Sequence, residues 1–546
     1  GDASSALDGP KSLVITKSLA EKLFGSASNA VGKIVAYDNQ DGFMVTGVVD
    51  LGNRLTHLQY DLFSRITWYS ESFTGNNRAT YVKLNRHTRV PELEDKITSL
   101  MRTLIEQEYA TANYTPTASE FAAWKLQPVA SVHLQSSQFG WISDSGGNVR
   151  HIYIFLVIGL LVLSVAMINY INLATSRAIK RSKEVGVRKV TGASRGQLLI
   201  QFTIEAVLQS LVALVIAVVL AQLLLPLFGL ITQRELALFD QGNALILVPA
   251  VVLAILVGMI AGYYPAVQVS SYQPVRALKG STTGRTSRLP LRKVLVSGQF
   301  VISIALLAIM AIVYRQIHYM QDHDLRFSPD QVLVVPLNAA SSQHAVANLR
   351  DQFTAIPGVQ HLTTVSRIPG IQFPDWGMLI QGQTENVFPR VMFTDHELLN
   401  TLDIDLVEGR FFDPAIAADT LTHFVINEQY AHEYGLADPV GARIKFTYDS
   451  LYGEIIGVVE NFHFQGLANP VRPLVIGAMH NRWYAAIKLS TGDLDRTLNE
   501  IKTLWAAVEP AHPMRYSFLD ERFNTQYVEQ ERFGKTLMYA AVLTIF

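Results

Sequence analysis

The chain has no cysteine, which excludes disulfide bridges and thiolate chemistry but leaves the compartment open, because large domains do not need covalent staples. Charge is scarce: 17% of the 546 residues are charged, and 45 basic residues nearly cancel 46 acidic ones. No global field therefore draws the chain to nucleic acid or to an acidic ligand, and any electrostatic role must be local. No G-x-x-x-x-G-K-[ST] string occurs, so these residues carry no phosphate cradle of that type. His57, His133, His318, His323 and His463 are scattered without ligand spacing, and sequence places no carboxylate pair face to face. Catalysis, metal binding and cofactor binding thus have no anchor. The chain opens on GDASSALDGP without an initiator methionine or signal peptide and stops inside KTLMYAAVLTIF. We expect a fragment, cut within one extramembrane domain and again within a membrane helix.

Long apolar runs are abundant, and mean hydropathy is positive. IYIFLVIGLLVLSVAMINYINLA, about 152 to 174, is long enough to cross a hydrocarbon core of about 30 Å. A second run covers about 198 to 230 and carries a polar stripe of Gln201, Glu205 and Gln209, expected to face protein or the interface rather than an ion path. The third, about 244 to 266, ends in GYYPA, where Pro265 is expected to end or kink the helix. The fourth, about 294 to 314, is expected to continue as a stalk to about Gln321. Between the first and second runs lies SRAIKRSKEVGVRKVTGASRGQL, with Arg177, Lys180, Arg181, Lys183, Arg188, Lys189 and Arg195 against the single acid Glu184. The loop after the third run holds Arg276, Lys279, Arg285, Arg288, Arg292 and Lys293 and no acid. Excess Lys and Arg marks both segments as cytoplasmic, whereas ITQRELALFDQGN reads as an outside loop.

The flanking regions read as water-soluble α/β domains that repeat one another. VITKSLAEKLFG answers VINEQYAHEYG, NAVGKIV answers DPVGARI, FMVTGVVD answers EIIGVVE, and YVKL answers AIKL. Val14, Gly32, Gly47 and Lys83 thereby match Val425, Gly441, Gly457 and Lys488, each pair separated by about 405 to 411 residues. The glycines are expected to meet turn or close-approach requirements rather than to react. QVLVVPL, ANLRDQFTAIPGV and HLTTVS predict a βαβ-like opening to the second copy, and NFHFQG at 461 to 466 reads as a tight turn with apolar partners. The fold class is an α-helical polytopic membrane protein with two repeated α/β (α+β) extracytoplasmic domains. The expected layout is a first core domain over 1–148, a three-helix permease domain over 149–293 with its basic segment at 176–198, a helix and stalk over 294–321, a second core domain over 322–533, and the start of a further membrane helix over 534–546.

EVGVRKVTGAS at 184 to 194, GYYPAVQVSSYQPVRALKG at 262 to 280 and GDASSALDGPKSLVITKSLAEKLFG at 1 to 25 together resemble the duplicated, eight-helix branch of the MacB/FtsX-type ABC transporter permeases. The resemblance implies a noncatalytic subunit of the bacterial inner membrane with periplasmic lobes, in contact with lipid and working with a separate ATPase subunit that binds the ATP. It also implies a periplasmic adaptor or outer-membrane partner as a further possible contact, and no cofactor of its own. Motion of the ATPase would be received at Glu184, Gly186, Arg188, Lys189, Gly192 and Ala193 and carried to the outside domains, for export or extraction of peptides, lipoproteins or other amphiphiles. Arg188 and Lys189 suit charge-assisted bonds with an ATPase surface, and Gly186 and Gly192 suit close approach. The alternative is a membrane scaffold that regulates a periplasmic partner without moving a substrate. Because the chain is free of cysteine, single introduced cysteines test the topology: a label at Ser194→Cys should react only from the cell interior and one at Gln343→Cys only from outside. The reverse pattern overturns the assignment.

Overall fold

The computed structural model describes the chain apart from residues 37–41, 52–56, 59, 66–72, 74–78, 112–123, 136–148, 181, 233–237, 239–245, 271–288, 323–324, 338–345, 347–349, 384, 421, 448, 450, 468, 479–481, 491, 511, 529–530, 533, 537 and 540–546. The outward loop from Gln233 to Asn243 (Leu238 excepted), the basic loop with Arg276, Lys279, Arg285 and Arg288, His323, and the last apolar residues therefore lie outside the described residues. The chain divides into two units, Gly1–Val149 with Asp322–Gln526, and Arg150–Gln321 with Tyr527–Phe546.

In the first unit, the N-terminal lobe begins with β1 (Ser12–Thr16), α1 (Lys17–Phe24), α2 (Ala27–Ala30), β2 (Ile34–Val35), β3 (Phe43–Val49) and β4 (Leu62–Ser64), in sheet order β2-β3-β1-β4. Thr16 starts α1 by accepting the Leu19 amide hydrogen at 3.3 Å, and Gly25 ends it in the left-handed region at φ 76°. The crossover through α1 makes β1 and β3 parallel and seals Leu13, Ile15, Ala20, Ala30 and Val45 beneath it. Two further helices follow, α3 (Val90–Thr111) and α4 (Val129–Gln135).

Four helices of the second unit are long and apolar enough to cross a membrane, within α5 (Val149–Lys180), α7 (Arg195–Thr232), α8 (Leu247–Ser270) and α9 (Leu289–Asp322); α6 (Ser182–Val190) is the short helix after the first. Helices suit this setting because each satisfies its backbone hydrogen bonds internally. Of the two outcomes expected at Pro265, an end to the helix does not occur, since α8 continues to Ser270. Pro265 is buried near the helix terminus, where the single lost backbone bond is tolerated among packed neighbours.

The C-terminal lobe of the first unit contains β5 (Val332–Pro336), α10 (Arg350–Thr354), β6 (Val359–Val365), β7 (Met378–Ile380), β8 (Asn386–Val387), β9 (Arg390–Phe393), α11 (Leu398–Leu402), β10 (Leu406–Gly409), β11 (His423–Asn427), α12 (Glu428–Glu433), β12 (Arg443–Phe446), β13 (Gly453–Val459), β14 (Leu474–Gly477), β15 (Tyr484–Leu489), α13 (Leu494–Val508), β16 (Ser517–Phe518) and α14 (Leu519–Asn524). The opening strand, helix and strand are not a simple βαβ unit. The later strand β15 inserts between β5 and β6, antiparallel to both, giving the order β16-β5-β15-β6. With α10 and α13 this is the split βαβ arrangement of ferredoxin-like folds, interrupted by an inserted sheet. Leu333, Val335, Phe353, Ile487, Ile501 and Trp505 fill its core. The inserted sheet runs β8-β7-β12-β13-β11-β14-β9, with β10 added on β13.

The repeat holds at the level of individual hydrogen-bonded pairs. Val14 faces Gly47 and Val425 faces Gly457, each across a parallel pair with an irregularity one residue earlier. Gly32 donates to Val45 at 2.7 Å and Gly441 to Ile455 at 2.8 Å, at φ 83° and 91°. The glycines serve two purposes. Gly32 and Gly441 need the left-handed turn, whereas Gly47 and Gly457 sit inside strands; a Cβ on Gly457 would stand 2.2 Å from the Arg410 carbonyl oxygen. YVKL departs from its match. Lys488 lies in the central β15, but residues 81–84 form no strand and Tyr81 and Val82 are half exposed. Among the described residues of the N-terminal lobe nothing corresponds to β5 and β6, so that segment lacks ladder partners.

Within the C-terminal lobe, Asp419 is 1% exposed and ties the segment before β11 to the end of β10. Arg410 donates to both its carboxylate oxygens at 2.7 and 2.9 Å, joined by His423 at 2.5 Å and the Asp413 amide at 2.7 Å. Burial works against ionisation here, but these donors outweigh it and hold the Asp419 pKa down at about 2. A folded-state pKa below the unfolded value stabilises the lobe above the unfolded pKa, and that stability is lost as pH falls through about 2. Asp419→Ala should destabilise the lobe by about 1–2 kcal/mol by removing the charge-assisted bonds from Arg410, His423 and the Asp413 amide. Denaturant unfolding at neutral pH measures this, and the gap between the two proteins should shrink as pH falls from about 4 towards 2.

Candidate functional site

The basic segment of residues 176–198 folds into the end of α5, all of α6, a turn and the start of α7. Its two helix boundaries are specified locally. The Ala193 amide donates to the Arg188 carbonyl at 2.9 Å and the Gly192 amide to the Lys189 carbonyl at 3.2 Å, with Gly192 at φ 103°. This is a Schellman closure, and it needs a residue free to adopt positive φ. Ser194 then opens α7 with a capping box: its Oγ accepts the Gln197 amide hydrogen at 3.3 Å while its own amide donates to Gln197 Oε1 at 2.9 Å. Thr-Gly-Ala-Ser is thus a complete stop-and-start signal between two helices.

α6 is held on the bundle by one small apolar cluster and one ammonium. Val185, Leu198 and Val269 are 1%, 2% and 3% exposed, with Ala193 and Phe202 against them. Lys189 Nζ donates to the carbonyl of Ser270, the last residue of α8, at 2.6 Å. Burial in this position, then the neighbouring Arg195, lowers the Lys189 pKa. On the outer side, Arg188 donates to Glu184 Oε1 at 2.7 Å and to Gln201 Oε1 at 3.1 Å, linking α6 to α7.

The six residues singled out in the sequence are all brought to this one corner, in different environments. Glu184 and Gly192 are exposed, Gly186 and Val185 are buried, and Arg188, Lys189 and Ala193 are half-buried. Arg188 and Lys189, alike in sequence, are divided by the fold: one joins a surface ion pair and the other caps α8. Among the described residues no atom comes within 4 Å of a Cβ placed on Gly192, so its conformation calls for glycine. Two members of the polar stripe face protein, since Gln201 meets Arg188 and Gln209 accepts from Tyr170 of α5 at 3.0 Å.

Sequence reasoning missed the support beneath this corner. α7 and α8 pack through Ala254, Gly258, Gly262 and Ala266, all buried at four-residue spacing. A Cβ on Gly258 would stand 2.7 Å from the Val207 Cα, and one on Gly262 would stand 2.4 Å from the Ala206 Cβ. Ser210 Oγ donates across the contact to the Ala254 carbonyl at 2.7 Å. Small residues four apart are a legible signal for close helix approach in a membrane, where lipid offers no hydrophobic drive to associate. The pairing sets Leu198 beside Val269, so the base of α7 and the end of α8 form the platform under α6.

Comparison with known proteins places this architecture. A profile described as the FtsX-like permease C-terminal domain matches residues 156–274, and one described as the MacB-like periplasmic core domain matches residues 1–100 and 300–503. The chain belongs to the MacB/FtsX-type permease family. The macrolide export ATP-binding/permease protein MacB of Pasteurella multocida is 29% identical over 273 residues, 48% of this chain and 37% of that protein. The pyoverdine export ATP-binding/permease protein PvdT of Pseudomonas aeruginosa is 29% identical over 272 residues, 48% and 36%. MacB of Agrobacterium fabrum is 33% identical over 126 residues, 22% and 19%. The chain thus spans less than two-fifths of these relatives' length. Among solved structures, the periplasmic region of MacB from Actinobacillus actinomycetemcomitans aligns with a TM-score of 0.28 and 10% identity, covering 38% of this chain and 97% of that one.

The permease is a membrane protein with periplasmic domains. Within α5, α7, α8 and α9, four stretches are long and apolar enough to cross the membrane. Gly258→Leu should force α7 from α8 and lower the thermal stability of the purified permease in detergent. Gly159→Leu, at a position with nothing within 4 Å of its Cβ, is the matched control and should leave stability unchanged.

Proposed function

We propose that this chain is the noncatalytic permease subunit of an ABC-type exporter of the bacterial inner membrane, working with a separate ATPase subunit that binds the nucleotide. The observation that carries the reading is the mounting of α6: a short helix joined to the α7–α8 hairpin by Val185 and Lys189, with one side left exposed, which the positive-inside rule would set in the cytoplasm. A push on α6 is then a push on two membrane helices at once. Its exposed side offers Val187 and Val190, 52% and 66% exposed, beside the charged pair Glu184 and Arg188. Two apolar side chains next to a surface ion pair suit a shallow groove with a polar rim on a partner protein. Gly186 and Ala193 act from beneath in this reading, and Gly192 sets the angle at which α6 leaves α7.

The membrane helices carry the motion to the periplasmic lobes, and the cargo class is an amphiphile such as a peptide or lipoprotein. The curated relatives named as exporters support this reading. An adaptor or outer-membrane partner would receive cargo from the lobes, and anionic lipid would contact the basic residues around α6. Regulation of a periplasmic partner without transport is the competing outcome.

The test is reconstitution with the cognate ATPase. Glu184→Arg puts a like charge beside Arg188, and Val190→Asp removes an apolar contact. Each should reduce ATPase copurification and permease-stimulated ATP hydrolysis by about tenfold, the scale of losing roughly 1.4 kcal/mol of docking energy, while insertion and thermal stability stay at the parental level. Unchanged copurification and stimulation in both variants would rule out docking at α6. ATP-dependent release of amphiphile from vesicles separates export from regulation without transport.

A further inference from the structure

Two segments connect the C-terminal lobe to the membrane helices in sequence. One leaves α9 at Asp322 and reaches β5, and the other runs through α14 to Gln526. The first is fastened to the loop Glu460–Gly466, which carries the NFHFQG string, and the second is joined to that loop through Phe327 and Gly370.

On the incoming segment, the His463 amide donates to the Leu325 carbonyl at 3.0 Å, Arg326 pairs with Glu460 at 2.5 Å, and the Phe327 ring meets Phe462 edge-on at 6.1 Å. On the outgoing segment, Phe523 packs edge-on against Phe327 at 5.7 Å, and Gln526 donates to the Gly370 carbonyl at 2.5 Å. Gly370 in turn donates its amide to the Phe464 carbonyl at 2.9 Å. Gly370 has φ 96°, and a Cβ on it would stand 3.3 Å from Phe523 and 3.1 Å from Gln526. Phe327, Phe462, Phe464 and Phe523 are all at most 5% exposed.

The loop is equally well fixed on its other side. It continues directly from β13, which pairs with β10, β11 and β12. The Asn461 amide donates to Glu428 Oε2 at 3.0 Å, while Asn461 Oδ1 accepts the Gln429 amide hydrogen at 2.9 Å. The incoming segment is also under tension. Arg326 lies at φ 59°, a left-handed conformation costly for a residue with a Cβ, and its guanidinium is the group tied to Glu460. In the N-terminal copy, the residues following Val48-Val49-Asp50, the counterpart of Val458-Val459-Glu460, read LGNRLTH and include no Phe, Tyr or Trp, so the aromatic string belongs to one half of the repeat.

We infer that Glu460–Gly466 is the drive point of the C-terminal lobe, where displacement of the membrane-side segments is delivered to β13 and through it to the inserted sheet, with Arg326 and Glu460 as positioning residues. The inference rests on the proposed reading that ATPase motion reaches the lobes, and goes beyond it by naming where that motion enters. An aromatic core of this kind is close-packed, so it passes on a displacement instead of absorbing it. The Arg326–Glu460 pair is partly solvent-exposed, so it acts on direction and register more than on stability.

The test uses the full permease with its ATPase in nanodiscs. Absence of native cysteine permits nitroxide labels at Leu451→Cys, 71% exposed between β12 and β13, and Ile312→Cys, 67% exposed on α9. The distance distribution is measured without nucleotide and with ATP and vanadate. The parental protein should show a nucleotide-dependent shift. Arg326→Ala and Glu460→Ala should each shrink it at least about threefold while keeping ATP turnover and protease resistance, and the charge exchange Arg326→Glu with Glu460→Arg should restore it. A full shift in both single variants overturns the drive point alone. Absence of any shift in the parental protein overturns the reading of ATPase-driven lobe motion, and the drive point with it.

Discussion

The close approach of α7 and α8 is the constraint on which the membrane unit depends. In lipid, neither helix gains from hiding apolar side chains against the other, so association rests on contact area and on hydrogen bonds across the interface. Gly258 and Gly262 supply the contact by letting backbone meet backbone, and Ser210 supplies a bond to the Ala254 carbonyl. Everything at the corner around α6 follows from that pairing. Leu198 and Val269 are neighbours because the hairpin is antiparallel and tight, and Val185 has a pocket to fill because they are neighbours. Lys189 finds the Ser270 carbonyl for the same reason.

The periplasmic lobes depend on a different economy. Their sheets bury apolar side chains from water, and the recurrent feature is a parallel pair with a glycine opposite a valine, Val14 with Gly47 and Val425 with Gly457. Around that shared nucleus the C-terminal lobe adds a ferredoxin-like layer and buried ion groups such as Asp419 with Arg410 and His423. The two lobes therefore share a hydrogen-bonding plan, and among the described residues YVKL marks a difference: residues 81–84 are exposed and form no strand, whereas their match lies in the central β15.

Much of this was legible beforehand because it is written in local patterns. Apolar runs long enough for a bilayer identified the four helices that are able to cross one. The repeat could be read from Val14, Gly32 and Gly47 alone, since turn and bulge requirements constrain residue type at single positions. The boundaries of α6, set by Gly192 and by Ser194 with Gln197, were not among the legible features, because in the sequence Gly192 suits close approach and its cap geometry emerges only with the backbone. The strand order β16-β5-β15-β6 was not legible, because β15 joins β5 and β6 only after the whole inserted sheet has intervened, and nothing local announces so distant a partner.

By itself, then, the sequence determined which runs are long and apolar enough to cross a membrane, where the basic residues gather, and which regions repeat. Each of these depends on composition or on contacts within a few residues. Tertiary structure alone decided what the side chains of α6 do. Arg188 and Lys189 are adjacent and carry the same charge, yet one pairs with Glu184 at the surface and the other closes the end of a helix 81 residues further on. Successive residues on a helix point about 100° apart, so neighbours in sequence meet different surroundings, and only the packing of α7 against α8 supplies those surroundings.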